Sequence, residues 1–86
     1  MERKVVEEFK LSDGRKVKIY EGIGEDLLTA MEIAQAQENP SMANIITNLM
    51  EMLVEIDGQK LPAEELKKLP LPEFMRIYSA FLKMTS

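Results

Sequence analysis

Apolar and polar residues alternate near the start of the chain, and farther along the apolar residues recur every three or four positions. Val17 and Ile19 alternate with polar neighbours, which is the period of a β-strand. The dipeptide Asp13-Gly14 separates this segment from an earlier one of mixed character, and Asp-Gly is a strong signal for a hairpin turn. The pattern predicts a two-stranded hairpin over about residues 3–20.

The first arm of this hairpin has no purely apolar face. Strict alternation places on one face Val5, Glu7, Phe9 and Leu11. The opposite face then holds Val6, Glu8 and Lys10. Both sets mix apolar and charged residues, so the register is open by about one residue. Because an isolated hairpin is marginally stable in water, its apolar face must lie on helices or on another chain.

Helical spacing begins after Gly22 and Gly24 and predicts a first amphipathic helix over about residues 25–38. Its apolar positions are Leu27, Leu28, Met31 and Ala34. The helix must end before Pro40, and Asn39-Pro40 is typical of a cap followed by proline at the first helical position. A second helix is predicted over about residues 40–55.

The second helix has an unusually broad apolar surface. Spacings of three and four relate Met42, Ile45, Ile46, Leu49, Met50, Leu53 and Ile56. Met52 and Val54 widen that surface. One interpretation is a central helix that packs on several neighbours. The other is that part of the surface, especially its adaptable methionines, binds a partner.

Asp57-Gly58 predicts a second turn. The residues before it, 53–56, have two interpretations. They can form a strand that pairs with the segment after the turn, or they can be the end of the second helix. We favour the helix end.

Prolines mark two further helices. Pro62 begins one over about residues 62–68, with acidic residues in its first turn and lysines in its last, as the helix dipole favours. Pro72 begins another over about residues 72–84, whose apolar stripe is Phe74, Ile77, Tyr78 and Phe81. The sequence therefore predicts a single α+β domain spanning residues 1–86, with an N-terminal β-hairpin followed by a small bundle of about four helices.

The composition argues against catalysis and against bound metals or cofactors. The chain has no Cys and no His, so it lacks a thiol nucleophile and the commonest general base and metal ligand. Neighbouring carboxylates such as Glu64 and Glu65 diverge on a helix and do not face one reacting atom. Gly22-Ile23-Gly24 is only a fragment of a phosphate-binding loop. We expect a non-enzymatic protein without a metal or a cofactor.

Charge and hydropathy limit the classes of partner that the protein can bind. A net charge of -4 repels nucleic acid. The last helix, which would be the recognition helix of a DNA-binding helix-turn-helix, has only Arg76 and Lys83 as basic residues. No apolar run approaches the roughly 20 residues that cross a bilayer, and the start lacks the apolar core of a secretory signal. We expect a cytoplasmic protein that binds neither nucleic acid nor membrane.

The order of these features resembles a known family. The segment DGRKVKIYEGIGEDLL, an Ile-containing helix and then IDGQKLPAEELKKLPLPEF together resemble the small tail assembly chaperones of contractile-tailed bacteriophages and their prophages. The resemblance spans about residues 11–82. It implies a protein of the bacterial host cytoplasm that coats the hydrophobic tape-measure protein until the tail tube polymerises around it. It implies no catalytic residue.

The candidate contacts for such a protein partner come from the apolar helix faces. They are Met42, Ile46, Met50, Met52, Met75, Tyr78 and Leu82. Each of these residues has an alternative role in the core. The alternative function is that of a small structural or adaptor subunit of a phage or prophage assembly, which forms a homo-oligomer through the same faces.

Overall fold

Residues 3–85, which a computed structural model describes, form a four-stranded antiparallel sheet and four helices. In chain order the elements are β1 (Val5–Lys10), β2 (Lys16–Tyr20), α1 (Gly24–Ala36), α2 (Met42–Leu53), β3 (Val54–Ile56), β4 (Gln59–Lys60), α3 (Ala63–Lys67) and α4 (Leu71–Thr85). The strand order in the sheet follows the chain order. The fold is α+β, with a hairpin followed by helices, as the sequence predicts.

The first hairpin turns at the predicted dipeptide. The N–H of Gly14 donates to the carbonyl of Leu11 over 2.9 Å, and the N–H of Leu11 donates to the carbonyl of Arg15 over 2.8 Å. Gly14 has a φ of +92°, which a residue with a side chain rarely adopts. The loop therefore has three residues, and its glycine supplies the left-handed position that such loops use.

A β-bulge in β1 explains why strict alternation gives this strand no purely apolar face. Phe9 lies opposite Val17 and Glu7 opposite Ile19, but Val5 lies opposite Tyr20, so the register shifts between Val5 and Glu7. Strict alternation was therefore wrong at the start of the arm. The bulge leaves Val5 exposed and lets Val6 pack against the core.

The segment after α2 corrects the preferred interpretation of residues 53–56. Val54–Ile56 form strand β3, which pairs with β2 on one side and with β4 on the other. Asp57 and Gly58 join β3 to β4 with φ values of +50° and +81°. Positive φ at both central residues is the mark of the two-residue hairpin turn that Asp-Gly favours. The helix end was wrong, and the alternative strand is confirmed.

The start of α2 also differs from the prediction. Pro40 precedes the helix, and Ser41 is its N-cap, since the Ser41 hydroxyl accepts the Asn44 N–H over 3.2 Å. The serine side chain bonds a free amide of the first turn, so the helix begins at Met42. The predicted Asn39-Pro40 cap would have begun it two residues earlier.

The core lies between the inner face of the sheet and the helices α2, α3 and α4. Its largest fully buried side chains are Phe81, Ile19, Met50, Leu53, Leu66, Ile77, Val17 and Val54. The predicted stripe of α4 is confirmed, because Ile77 and Phe81 are buried and Phe74 and Tyr78 pack against the core with their rings stacked at 6.2 Å.

Two carboxylates attach α3 and α4 to the rest of the domain. Buried Glu73, in the first turn of α4, accepts hydrogen bonds from the hydroxyl and the backbone N–H of Ser12 in the first hairpin. The Glu51 carboxylate on α2 accepts the Ala63 N–H, at the start of α3, over 2.6 Å. Each carboxylate satisfies a polar group far away in sequence, so the helices are positioned by specific bonds as well as by apolar packing.

Helix α1 ends in a Schellman motif that contains no glycine. The Asn39 N–H donates to the Ala34 carbonyl over 3.0 Å, and the Glu38 N–H donates to the Gln35 carbonyl over 2.9 Å. Glu38 occupies the left-handed position with a φ of +58°. Glycine is the usual residue there, because a side chain is strained at that φ.

We expect Glu38→Gly to stabilise the domain by about 1 kcal/mol, because it removes the left-handed strain. Glu32→Gly is the matched control, since it removes the same charge from the interior of α1, where glycine costs about 1 kcal/mol. Urea unfolding followed by circular dichroism measures both. Equal destabilisation by the two substitutions would contradict the strain at Glu38.

Candidate functional site

Helix α1 packs on α2 through small residues. Ala30 and Ala34 are fully buried against Ile45 of α2, and four larger apolar residues of α1 remain exposed. These are Leu27, Leu28, Met31 and Ile33. Of the apolar positions that periodicity selects in this helix, only Ala34 is buried. Alanines let two helices approach closely, so the larger side chains of α1 project beyond the contact.

An open apolar groove lies between α1, α2, the C-terminal half of α4 and the start of β1. It has a volume of about 770 Å³. Its lining includes the apolar side chains of Val6, Leu27, Leu49, Leu53, Phe81 and Leu82. We call this surface the apolar groove. Leu27 and Leu82 are 43% and 42% exposed, whereas Leu53 and Phe81 are buried, so the two exposed leucines form its rim and the buried pair its floor.

The loop between β2 and α1 closes one end of the apolar groove. Gly22 in this loop lies so close to Leu53 that an added Cβ would stand 2.7 Å from Leu53 Cδ1. A residue without a side chain is therefore required at Gly22 unless Leu53 moves. The close approach brings Glu21 and Ile23 into the lining of the groove.

A smaller cleft of about 220 Å³ lies between α2 and α4. Its lining includes Ile46, Met50, Phe74 and Tyr78. Ile46 also lines the apolar groove, so the two depressions adjoin at this residue. Together they extend the accessible apolar surface along α2.

The structure brings part of the predicted contact set to this surface. Ile46 lines both depressions, Leu82 lies on the rim of the groove, and Tyr78 lines the smaller cleft. Met42 and Met75 are exposed and precede Ile46 and Tyr78 by about one helical turn. These two methionines therefore extend the same faces of α2 and α4.

The two remaining predicted contacts offer little exposed surface. Met50 borders the smaller cleft, but it is 0% exposed and belongs to the core cluster, so we remove it from the contact candidates. Met52 is half-buried and packs beside Ala30, Ala34 and Ile45, next to the contact between α1 and α2. Both residues therefore pack inside the domain, which is the alternative that the sequence analysis gave for each candidate.

Sequence reasoning missed the contribution of α1 to the site. Ile23 and Leu27 line the apolar groove, and Met31 follows Leu27 by one turn on the same side of the helix. The available signal was the pair Ala30 and Ala34, four residues apart. Small residues at that spacing mark the line along which a helix meets its neighbour, so the larger apolar residues beside them lie off that line.

An ion pair fixes the start of α1 at the edge of the groove. The Arg3 guanidinium donates to both oxygens of the buried Asp26 carboxylate over 2.8 and 2.7 Å. Asp26 also accepts the Ile23 N–H over 2.8 Å. The hydrogen bond from Arg3, and then that from Ile23, hold the pKa of Asp26 below its usual value. Arg3 also donates to the Glu21 carbonyl over 3.0 Å, so this cluster holds the loop as well.

Acidic and basic residues are unevenly distributed along the sequence. Residues 21–55 contain seven acidic residues and no Lys or Arg. The remainder of the chain contains eleven basic and eight acidic residues. Of these acidic residues, Glu21 lines the groove, whereas Asp26 is paired with Arg3 beside it.

The chemistry of the site is that of apolar contact. Within residues 3–85, no group of three acidic side chains is arranged to hold a metal ion, and no helix is long and apolar enough to span a membrane. Comparison with protein-family models, with curated proteins and with solved structures finds no match for the chain. The geometry suits an apolar ligand that enters from solvent between α1 and α4.

We expect Met50→Ala to destabilise the domain by about 2–5 kcal/mol, because it opens a cavity in the core. Met42→Ala should change the unfolding free energy by less than about 0.5 kcal/mol, because Met42 is 68% exposed. Urea unfolding of both variants measures this difference. Similar losses in the two variants would contradict the placement of Met50.

The Arg3–Asp26 pair predicts a pH dependence of stability. The pKa of Asp26 is lowered in the folded state, so its contribution is present above its unfolded pKa of about 3.9 and is lost as the pH falls through the folded value. Asp26→Asn should therefore cost up to about 1 kcal/mol near pH 7, and the difference from wild type should shrink below about pH 4. Thermal unfolding of both proteins across this range measures it, and a difference that does not change with pH would contradict the ion pair.

Proposed function

We propose that this protein is a non-enzymatic tail assembly chaperone of the host cytoplasm, which binds apolar helical segments of a tape-measure protein before the tail tube polymerises. The observation that carries the proposal is the apolar groove and its exposed extension along α1. Surfaces of this kind on a small domain mark sites of protein binding.

The shape of the groove favours a helix as the bound segment. Its walls come from α1, α2 and α4, and an amphipathic helix that lays its apolar face between other helices is a recurrent mode of recognition. The buried floor at Leu53 and Phe81 gives such a helix a firm apolar base. The rim residues Leu27 and Leu82 are exposed and become covered when the helix binds.

The margins of the groove suit a partner with several binding segments. Met31, Met42 and Met75 are all exposed on helices that border the two depressions. Methionine side chains are flexible and polarizable, so they adapt to ligands of different shape. Proteins that bind many sequences use flexible methionine-rich surfaces of this kind.

The resemblance to the chaperone family and the geometry involve the same residues. The segment DGRKVKIYEGIGEDLL, residues 13–28, contributes Glu21, Gly22, Ile23, Gly24 and Leu27 to the lining of the groove. The part of the sequence that resembles the family thus forms one wall of the surface to which we assign binding.

Co-expression with a tape-measure protein encoded beside this chain tests the proposal. We expect the wild-type chain to keep that protein soluble and to be recovered in a complex with it. Leu27→Gln should weaken the complex about tenfold, because it removes an apolar contact in the groove without changing the charge. Recovery and titration of the purified complex measure both effects.

The matched control is Leu71→Gln, since Leu71 is 69% exposed and lies at the start of α4, outside the lining of the groove. It should leave the complex unchanged. An insoluble tape-measure protein with no recovered complex would refute the chaperone function. Stable homo-oligomers of the chain, together with that result, would favour the structural or adaptor subunit.

A further inference from the structure

We propose that Gly24 is the point at which a bound helix comes closest to this protein, and that a large apolar side chain of that helix seats on the Gly24 backbone. This inference rests on the proposed function and adds a specificity-determining residue to the same groove. It is carried by a glycine that the fold does not require and by the uncharged row of α1 residues that begins there.

The fold itself does not require a glycine at position 24. Gly24 is the first residue of α1, and its φ is not positive. A Cβ added there would have no atom of the described residues within 4 Å, apart from its chain neighbours and its own helix backbone. Gly22 is the opposite case, because its added Cβ would meet Leu53. Alanine at a position of helical backbone stabilises a fold by restricting the unfolded chain, so the protein forgoes stability at Gly24.

Gly24 forms a notch in the wall of the apolar groove. It is exposed and lines the groove together with Ile23 and Leu27. Side chains on a helix tilt toward its N-terminus, so those of Leu27 and Leu28 lean over the first turn of α1. A residue without a side chain among these larger ones lets a ligand approach the backbone closely. The notch has room for an apolar side chain of a partner.

Gly24 also begins a row of α1 residues that contains no charge. Leu27, Leu28 and Met31 follow it by three, four and seven residues, so the four residues lie on one side of the helix. The three larger side chains are 43%, 59% and 39% exposed. This spacing is the one that a helix uses to pack along another helix. The bound helix therefore lies along the row and reaches its closest approach at the glycine.

An isolated helix of a partner suits this site better than a second copy of the chain. The segment in the groove has the α1 row on one side and the α4 rim at Leu82 on the other, with the buried floor below. The longer helices of a second copy are each packed on their own domain, as α1 is through Ala30 and Ala34. Such helices present one free side, whereas a helix from a long partner can contact both walls and the floor.

Graded side chains at position 24 test the inference on the full-length chain. One probe is the tape-measure protein, and the other is a synthetic helix of about 20 residues with one leucine face, about as long as the 30 Å dimension of the domain. Gly24→Ala should weaken binding of both about fivefold, and Gly24→Leu should weaken it more than about tenfold, because the new side chain fills the notch. Fluorescence anisotropy measures the peptide, and titration of the purified complex measures the tape-measure protein.

Thermal unfolding separates a lost contact from a damaged fold. Gly24→Ala should raise the unfolding midpoint by about 2–6 °C. Gly22→Ala should lower the midpoint, because Leu53 must move to admit the new Cβ. The matched control for added bulk is Ala36→Leu, which enlarges an exposed residue of α1 outside the groove lining. It should change the affinity for the peptide by less than about twofold.

Several results would overturn the inference, and they differ from failure of the proposed function. Unchanged or tighter binding by Gly24→Leu, with binding still weakened by Leu27→Gln, would show that the helix does not contact Gly24. A lower unfolding midpoint for Gly24→Ala would show that the fold requires the glycine. A dimer of the free chain that Gly24→Leu dissociates would make a second copy the occupant. Peptide binding without recovery of the tape-measure protein would refute the proposed function alone, and binding of neither would refute both.

Discussion

The pairing of β2 with β3 determines how the rest of the molecule is arranged. Val17 lies opposite Ile56 and Ile19 opposite Val54, and all four side chains are buried. An isolated two-stranded hairpin is marginally stable in water, so the third strand is what makes the N-terminal hairpin part of a stable sheet. Because α2 ends at Leu53 and β3 begins at the next residue, the same pairing fixes α2 above the sheet. Leu53 is thereby held in the floor of the apolar groove, against the loop that contains Gly22.

This dependence on a distant partner explains which parts of the fold the sequence predicted. Hairpin turns and helices have local signals, such as Asp13-Gly14 and the prolines Pro62 and Pro72 at the starts of α3 and α4, and those elements begin within one residue of the expected positions. Residues 53–56 satisfy the helical period as well as they satisfy a strand, since Leu53 and Ile56 continue the stripe of α2. What decides between the two is the open edge of β2, far away along the chain. Local periodicity contains no information about that edge, so the strand remained only an alternative.

The candidate site was predicted in part for a related reason. Periodicity identifies the apolar faces of α2 and α4, and Ile46, Tyr78 and Leu82 do line accessible depressions. Periodicity does not show how many neighbouring elements cover a helix face. It therefore could not distinguish Met50, which is buried in the core, from Met42, which is exposed on the same helix. Helix α1 is the opposite case. Its alanines make the helix contact and its larger residues remain outside, which reverses the usual expectation that the largest apolar residues are buried.

The rim of the groove stays exposed because α1 is held at three places that do not involve its large apolar residues. The alanine contact sets its distance from α2, and the Arg3–Asp26 pair holds its first turn. At its C-terminal end, the Asn44 amide of α2 donates to the Gln37 side chain and to the Asn39 carbonyl. For α1 to collapse over the groove, it would have to separate Ala30 and Ala34 from Ile45 and break a hydrogen-bonded ion pair. The groove is therefore open before any ligand arrives. A preformed groove lowers the ordering cost of binding, so a modest apolar surface can support reversible association without a large interface.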